Sequence, residues 1–560
     1  MNNNMKRKQM PIKLLNLKQT VILLLCLVSC LFCSCSKMDV TSPEDYIGPA
    51  KSEPNIPGTL QTEPNIMPKL LTEANIAPSA IPAAPTTPPE PLKITITNAT
   101  LIGLENNKSL VVQRYNPQLK RTTEQDQLAA FDPDLTIDLA NRQSKTTTGP
   151  LKSTSRSNTA SVGIQEFLPT GTTLDFIGST NQNLNTENDR YTSQLQFGLT
   201  QSLLRGFGTA VNLASVNQAR IDTKSSQYEL RGFVITLVSQ IEETYWDYAL
   251  ALRQIEIFNQ SLDVAVKQQQ ETQERINVGK LAQSELAAAE AEVALRHEDL
   301  INARSTLAKV KLNLLQLINP PWANLWDRDI VLETKPEIPL IELDGVEPHV
   351  ALALKMRSDL NQAKLQWQRD DLEVVKTKNG LLPKLDLFIT LGKTGYSESF
   401  EGSFKDMHHD NFNTTAGISF EYPPINRSAQ ARNLRAILTR DQAMESIKNL
   451  SQLVEVDVRT AYLEIVRTKE QVAATAATRK LQEEKLRAET EKFRVGKSTS
   501  LLVAAAQRDL LSSQITATQS VANYIKAFVE LYRLEGSLLE RRGVASPGRE
   551  PVKLSDMPGL

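Results

Sequence analysis

The chain has 560 residues, is 23% charged and carries a formal net charge of -1. That is more than one ordinary domain needs, and the near-neutral balance lacks the basic footprint of a nucleic-acid binder. No run beyond the N-terminus is apolar enough to cross a bilayer as a helix, so any crossing must be made by a closed β-barrel.

Residues 1-35 have the layout of an export signal. Lys6, Arg7, Lys8, Lys13 and Lys18 form a basic region, and Val21 to Val28 a short apolar one. Leu27-Val28-Ser29-Cys30 fits the bacterial lipoprotein cleavage pattern, which makes Cys30 the expected acylated residue. Cys35, after Phe32-Cys33-Ser34, is the alternative. A signal anchor or plain secretory peptide would also take the chain out of the cytoplasm. With Cys26 these are the only cysteines, so the body has no disulfide framework, cysteine zinc site or thiol nucleophile. Residues 36-92 read as a Pro-rich tether, in which Glu53-Pro54-Asn55-Ile56 recurs at Glu63 and, as Glu73-Ala74-Asn75-Ile76, once more. Such composition favours extended, unpacked backbone.

From 93 to 543 one structural unit occurs twice: a first repeat at 93-330, a linker at 331-346 and a second repeat at 347-543, with a flexible tail at 544-560. Sliding the chain by 217 positions lays Tyr245 on Tyr462, Glu274 on Glu491 and Val278-Gly279-Lys280 on Val495-Gly496-Lys497. The front of each unit aligns instead at a shift of 250, where Leu110 meets Leu360 and Pro133 meets Pro383. The difference of 33 residues (250 less 217) is about one extra hairpin in the first unit.

Each unit opens with a short amphipathic helix (Asn98 to Glu124; Glu347 to Lys376). A Pro-marked strand start follows, then strands alternating apolar and polar residues, such as Leu135-Ile137-Leu139 and Leu385-Leu387-Ile389. The surplus falls where Ser161–Phe167 and Thr172–Ile177 both alternate around Leu168-Pro169-Thr170-Gly171, a turn by composition. Four strands are therefore expected from the first unit and two from the second, the other possibility being a long ordered loop. Asn181 to Asp189 and Ser397 to Asn413 read as turn-rich connections. Two very long helices close each unit, the first running from about Ala210 to Ile276. Leu286, Val293, Leu300, Leu307 and Leu314 recur every seven residues, with Ala289, Ala303, Val310 and Leu317 in a second seam whose one polar member is Arg296. Val503, Leu510, Ala517, Tyr524 and Leu531 repeat the register 217 positions on, which is coiled-coil periodicity.

Over about 93–540 these residues resemble the TolC-like outer-membrane efflux family. The likeness rests on Phe131-Asp132-Pro133, Leu199 to Leu204, Thr244-Tyr245-Trp246-Asp247-Tyr248, Thr460-Ala461-Tyr462-Leu463 and the Val-Gly turns. The resemblance implies a mainly α fold with membrane β: a tandem-repeat protomer giving strands to a trimeric outer-membrane barrel and long helices to a periplasmic α-barrel. It implies a lipid-anchored homotrimer passing small molecules or proteins outward with a periplasmic adaptor and an inner-membrane pump, in tripartite efflux or type I secretion, with no cofactor and no nucleic acid. Adaptor docking would fall to Val278, Gly279, Lys280, Arg494, Val495, Gly496, Lys497 and Ser498. In the family pattern two acids follow the second tip glycine and ring the pore; here those positions are Leu502 and Ala505. The entrance is then expected to close on apolar packing around Leu501 and Leu502, unless these merely fill the coiled-coil seam. Glu285 is placed to pair with Lys497 or Arg494.

Nothing points to an enzyme. His408, His409 and Asp410 are the only metal-like cluster and read as a solvated loop, with no helical ligand spacing. No phosphate loop or nucleophile framework is present, so neither a catalytic nor a metal site is assigned. The rival is a periplasmic coiled-coil adaptor or structural protein. An adaptor would carry one hairpin flanked by small β-domains, whereas this chain has two, each preceded by membrane-type strands.

Overall fold

A computed structural model describes residues 48–49, 91–148, 151–184, 190–321, 326, 328–336, 338 and 343–552. The leader with Cys30 and Cys35, and nearly all of the Pro-rich segment, lie outside the described residues. The chain enters through β1 (Leu92–Ile94), α1 (Ile96–Asn106) and α2 (Lys108–Leu128). A sheet run follows: β2 (Asp134–Thr148), β3 (Leu151–Leu168), β4 (Thr172–Leu184) and β5 (Arg190–Ser202). Then come the long helices α3 (Ala214–Asn277) and α4 (Ser284–Ile318). The second half repeats the order: β6 (Ile330–Leu332), α5 (Val346–Met356), α6 (Ser358–Asn379), β7 (Lys384–Ser397), α7 (Phe400–Asp406), β8 (Phe412–Glu421), α8 (Arg427–Arg494), α9 (Ser500–Glu535) and the short α10 (Leu538–Arg541).

Six strands form one antiparallel sheet in the order β2-β3-β4-β5-β7-β8, four from the first half and two from the second. Ser161–Phe167 and Thr172–Ile177 are paired within it, joined by the tight turn at Gly171. The helices α3 and α8 have 64 and 68 residues, roughly 100 Å each. No described helix is long and apolar enough to cross a membrane. Along α4 and α9 the heptad residues point inward: Leu300, Leu314, Val503, Tyr524 and Leu531 are buried, and the hairpins α3–α4 and α8–α9 close on them.

The helices meet in one apolar core around Val238, Ile241, Tyr245, Leu315, Val458 and Phe528. There β1 and β6 pair in parallel, a ladder missed in the sequence because each strand is only three residues long. Tyr245 fixes it to α3: its hydroxyl donates towards the carbonyls of Ile94 and Thr334 (both 3.3 Å) and accepts from the Thr334 amide (3.2 Å). Tyr248 does the same at the Ile330 carbonyl, 3.2 Å away, and burial pushes its phenol up to about 12. Three charged pairs each have at least one buried member. Arg542 makes a bidentate pair with Glu242 (2.6 and 2.7 Å), Arg231 meets Glu540 (2.6 Å), and His349 contacts Glu535. The Glu242 carboxylate holds the Arg542 guanidinium above arginine's ordinary value. The first two pairs link α3 to the end of the chain, the third joins α5 to the end of α9, and removing Arg542 would leave the buried Glu242 uncompensated.

Several expectations change. Each opening helix is broken in two, at Asn107 and at Arg357, where ψ swings to 118 and 128. The breaks lie 250 positions apart, the shift that aligned these segments. Asn107 makes its own break by capping the amide of Leu110 (3.0 Å) and donating to the Leu317 carbonyl (2.9 Å). The expected tail begins later than 544: Val544 is buried, Tyr228 donates to the Glu550 carbonyl, and the Val552 amide donates to Asn361 (2.9 Å). The linker 331-346 starts inside β6. Ser397 to Asn413 contains a helix, α7, instead of turns alone.

Candidate functional site: a two-faced sheet and paired helix tips

In an antiparallel sheet, directly paired residues share a face. One face carries an apolar band, three residues per strand: Leu135, Ile137 and Leu139 on β2; Ala160, Val162 and Ile164 on β3; Leu174, Phe176 and Gly178 on β4. Leu195, Phe197 and Leu199 continue it on β5, Leu387, Ile389 and Leu391 on β7, and Ala416, Ile418 and Phe420 on β8. On the edge strands these side chains stand open, Leu139 at 79% and Phe420 at 64% exposure. The opposite face presents Asp138, Arg142, Gln165, Asp175, Gln194 and Gln196, with Phe167, Ile177, Phe388 and Tyr396 among the exceptions. A sheet so divided suits lipid on one side and water on the other.

The band slants. The ladder Ile137–Val162–Gly178–Leu195–Lys393–Phe412 crosses all six strands, so Phe412 is level with the band's centre on β2. On β8 the centre is Ile418, six residues further along (418 less 412). Six residues of rise over five strand spacings make an angle of about 40° between the strands and an axis normal to the band, within the tilt of transmembrane barrels. The strands have 13 to 18 residues on β3, β4 and β5, longer than the roughly 9–11 a bilayer needs. Past the band the same face turns polar, where Asn141 donates to Asn158 (2.5 Å) and Asn158 to Gln182 (3.0 Å). Both edges, β2 and β8, are unpaired among the described residues.

At the other end of the long helices the two tips are near copies. The α3 amides run out at Val278 (φ -93, ψ 9), and α8 at Val495 (φ -94, ψ 11). Gly279 and Gly496 then take φ +74 and +76, where a side chain would be strained although open space surrounds both. The amides of Lys280 and Lys497 reach back to the carbonyls of Arg275 and Lys492, each at 2.8 Å. That six-to-one bond is a Schellman cap, and it leaves both valines projecting, 67% and 64% exposed. The tips lie side by side: the Arg275 guanidinium sits 4.7 Å over the Phe493 ring.

The remaining tip residues are placed as follows. Arg494 pairs with Glu491 at 3.1 Å, and Ser498 donates to Glu489 at 2.9 Å. Lys492, then Ser498, hold the Glu489 carboxyl below its ordinary value. Glu285 accepts from Ser500, not from Lys497 or Arg494 as the sequence suggested. Thr499 caps α9 and turns Ser500 towards the first tip, a reorientation that residue spacing does not reveal. Leu501 and Leu502 are exposed, while Val503 and Ala506 fill the seam within the hairpin; Ala505 is half-buried. His408 and His409 sit exposed at the end of α7, where His409 faces Asp406 at 3.2 Å. Sequence reasoning missed the buried pairs around Glu242 and Arg231, whose partners lie roughly 300 residues away.

The model of a family described as outer membrane efflux protein matches residues 103–320 and 350–537. No curated protein gives a significant match. Solved structures with the same fold include the Campylobacter jejuni CmeC outer membrane channel, with 13% identity, 80% of this chain, 89% of that one and a TM-score of 0.61. The open state of the Neisseria gonorrhoeae MtrE outer membrane channel gives 16%, 79%, 89% and 0.58. The outer membrane protein VceC from Vibrio cholerae gives 16%, 79%, 96% and 0.59. At these identities the likeness is one of fold.

The tips yield a direct prediction. Gly279→Ala and Gly496→Ala each force a Cβ into the left-handed region, at about 1–2 kcal/mol. Hydrogen exchange at the Lys280 or Lys497 amide should then accelerate by roughly 5- to 30-fold, with Gly→Asn in between. Unchanged protection would mean that the glycines are not needed for the turn.

Proposed function

This chain belongs to the outer membrane efflux protein family, and on that premise we propose that three copies assemble a continuous duct across the outer membrane and into the periplasm. The observation that carries this is the six-stranded sheet with one apolar face, one polar face and two unpaired edges. An open edge is not viable in hydrocarbon, where every backbone amide needs a partner. One copy has too few strands to close with a lumen, while three give about 18, the size that leaves an aqueous channel. At the tilt found above such a barrel is roughly 35 Å across.

Continuing the slant by one more strand puts Ile137 of the next copy opposite Ile418 or Phe420. With Ile137→Cys, a second cysteine at Ile418 or Phe420 should therefore give covalent trimers on mild oxidation in membranes, at Cα separations that a disulfide spans. A second cysteine at Phe412 should not. Cross-linking at Phe412 alone, or covalent dimers as the end product, would reject the seam.

The helical part is then a periplasmic tube without a catalytic site, and the paired tips are where an adaptor's helical hairpin docks beneath it, linking the duct to an inner-membrane pump. Val278, Gly279, Lys280, Arg494, Val495, Gly496, Lys497 and Ser498 are the docking residues. Two exposed valines beside two exposed lysines support this, being a small apolar anchor with a basic rim. The pore entrance lies beside them, formed by Glu285, Leu501, Leu502 and Ala505, with Leu501 and Leu502 free of the hairpin seam and able to close it. Trivalent cations added from the periplasmic side should leave single-channel conductance unblocked, and Leu502→Asp should create block. Tight block of the unaltered channel would place an acidic ring elsewhere.

Cys30, or in its place Cys35, carries the lipid, and 36-92 tethers it to the body. Intact mass of the mature N-terminus should show a diacylglyceryl cysteine. A plain residue other than cysteine there would exclude the anchor.

A further inference from the structure

Barrels that cross membranes usually carry aromatic girdles at both edges of the apolar band. Here, among the described residues, the band face of the strands carries only Tyr191 on β5 and Phe412 on β8 as aromatics at the edge remote from the helices. The ladder row Thr180, Ser193 and Gly395 on β4, β5 and β7 has no aromatic side chain. Over that gap lies α7, seven residues long, and its seat is built for it. A Cβ on Gly395 would fall 1.9 Å from the Ser403 carbonyl oxygen and 2.9 Å from the Met407 amide. Ser193 and Ser403, both wholly buried, share a hydroxyl hydrogen bond of 2.6 Å. Ser399 caps the helix at the Gly402 amide (3.1 Å), and Asp406 accepts from the Tyr396 amide (2.9 Å). Lys393, which belongs to the apolar face, turns its ammonium up to the carbonyls of Met407 and His409 (3.3 and 3.4 Å).

With Ser403 and Met407 against the sheet, the helix holds Phe400 and Phe404 on an open side, edge to face at 5.0 Å and partly exposed. A lone helix of seven residues is not stable in water, so something must repay its ordering. Its underside does so through the sheet; its two phenylalanines gain nothing from water.

We propose that α7 is an outer-leaflet anchor: it fills the gap in the sparse aromatic girdle that Tyr191 and Phe412 give the strands and inserts Phe400 and Phe404 at the boundary of acyl chains and headgroups. This rests on the proposed membrane barrel. The occupant is a lipid surface because the helix is continuous with the apolar band. Two residues of tilted strand separate Leu195 from Ser193, about 5 Å along the barrel axis, which is the depth of the interfacial zone. The backbone thickness of the helix sets the aromatic pair out from the barrel wall, so each subunit grips the outer leaflet beyond its own strands.

The test uses Phe404→Trp in full-length protein reconstituted into phosphatidylcholine vesicles brominated at the 6,7 or the 11,12 acyl positions. Phe197→Trp, in the band, is the control for the barrel, and the native tryptophan signal, measured on the unaltered protein, is subtracted. The expected result is blue-shifted emission from the Phe404→Trp indole, quenched at least about twofold more by the 6,7 than by the 11,12 lipid. The Phe197→Trp indole should be quenched by both lipids. Adding Gly395→Val, which unseats the helix, should abolish lipid quenching in the Phe404→Trp protein and leave it intact in the Phe197→Trp protein. If the α7 indole is quenched only by aqueous iodide, or by neither agent, while the band indole is quenched by lipid, the anchor is overturned and the barrel stands. Loss of lipid quenching in both proteins overturns both.

Discussion

The rest of this molecule depends on a single requirement: backbone amides in hydrocarbon must find partners within protein. A six-stranded sheet with two bare edges does not meet it alone, while the helical hairpins, whose amides are satisfied internally, make a separate demand in water: their exposed apolar residues need cover. Leu434, Leu438, Leu453 and Leu463 stand exposed along α8 of the single chain. Sheet and helices thus ask for the same remedy, more copies of themselves around one axis. In the proposed assembly the chain is a sector of a cylinder, and the angle of its apolar band gives the tilt of that cylinder.

The tandem repeat shows which parts of such a sector can vary. The helical hairpins keep one register in both halves, down to tip dihedrals that agree within a few degrees and terminators at Asn319 and Gly536, both left-handed and 217 positions apart. A sheet can take an extra hairpin by growing around its circumference, since the new strands pair with old ones and their apolar residues fall into the same band. A coiled-coil seam cannot take 33 residues without losing its partner's register. The surplus of the first half accordingly sits in the sheet, as β3 and β4.

Between sheet and tips, the middle of the molecule joins the halves. The parallel β1–β6 ladder ties the two entry segments together, Tyr245 and Tyr248 hold the ladder to α3, and Arg542 and Glu242 bring the end of the chain to the same helix. The helix breaks at Asn107 and Arg357 lie here, where columns from the tips hand over to columns that reach the sheet.

What the amino-acid order settled by itself is whatever repeats over a short distance. Period two in Leu135-Ile137-Leu139, period seven from Leu286 to Leu314, and glycine at 279 and 496 all act through immediate neighbours, so they remain legible in one dimension. The extra hairpin was legible too, because a difference of two shifts is a count and needs no geometry. The tertiary structure decided what depends on contacts distant in the chain. Glu285 meets Ser500 because two separately capped tips lie side by side, Asn107 breaks its helix partly through a carbonyl at Leu317, and Phe400–Asp406 becomes helical where Gly395 and Ser193 offer a seat. Burial of Arg231 and Glu242 belongs to the same class: a charge looks solvated in sequence until the fold brings its partner and excludes the water.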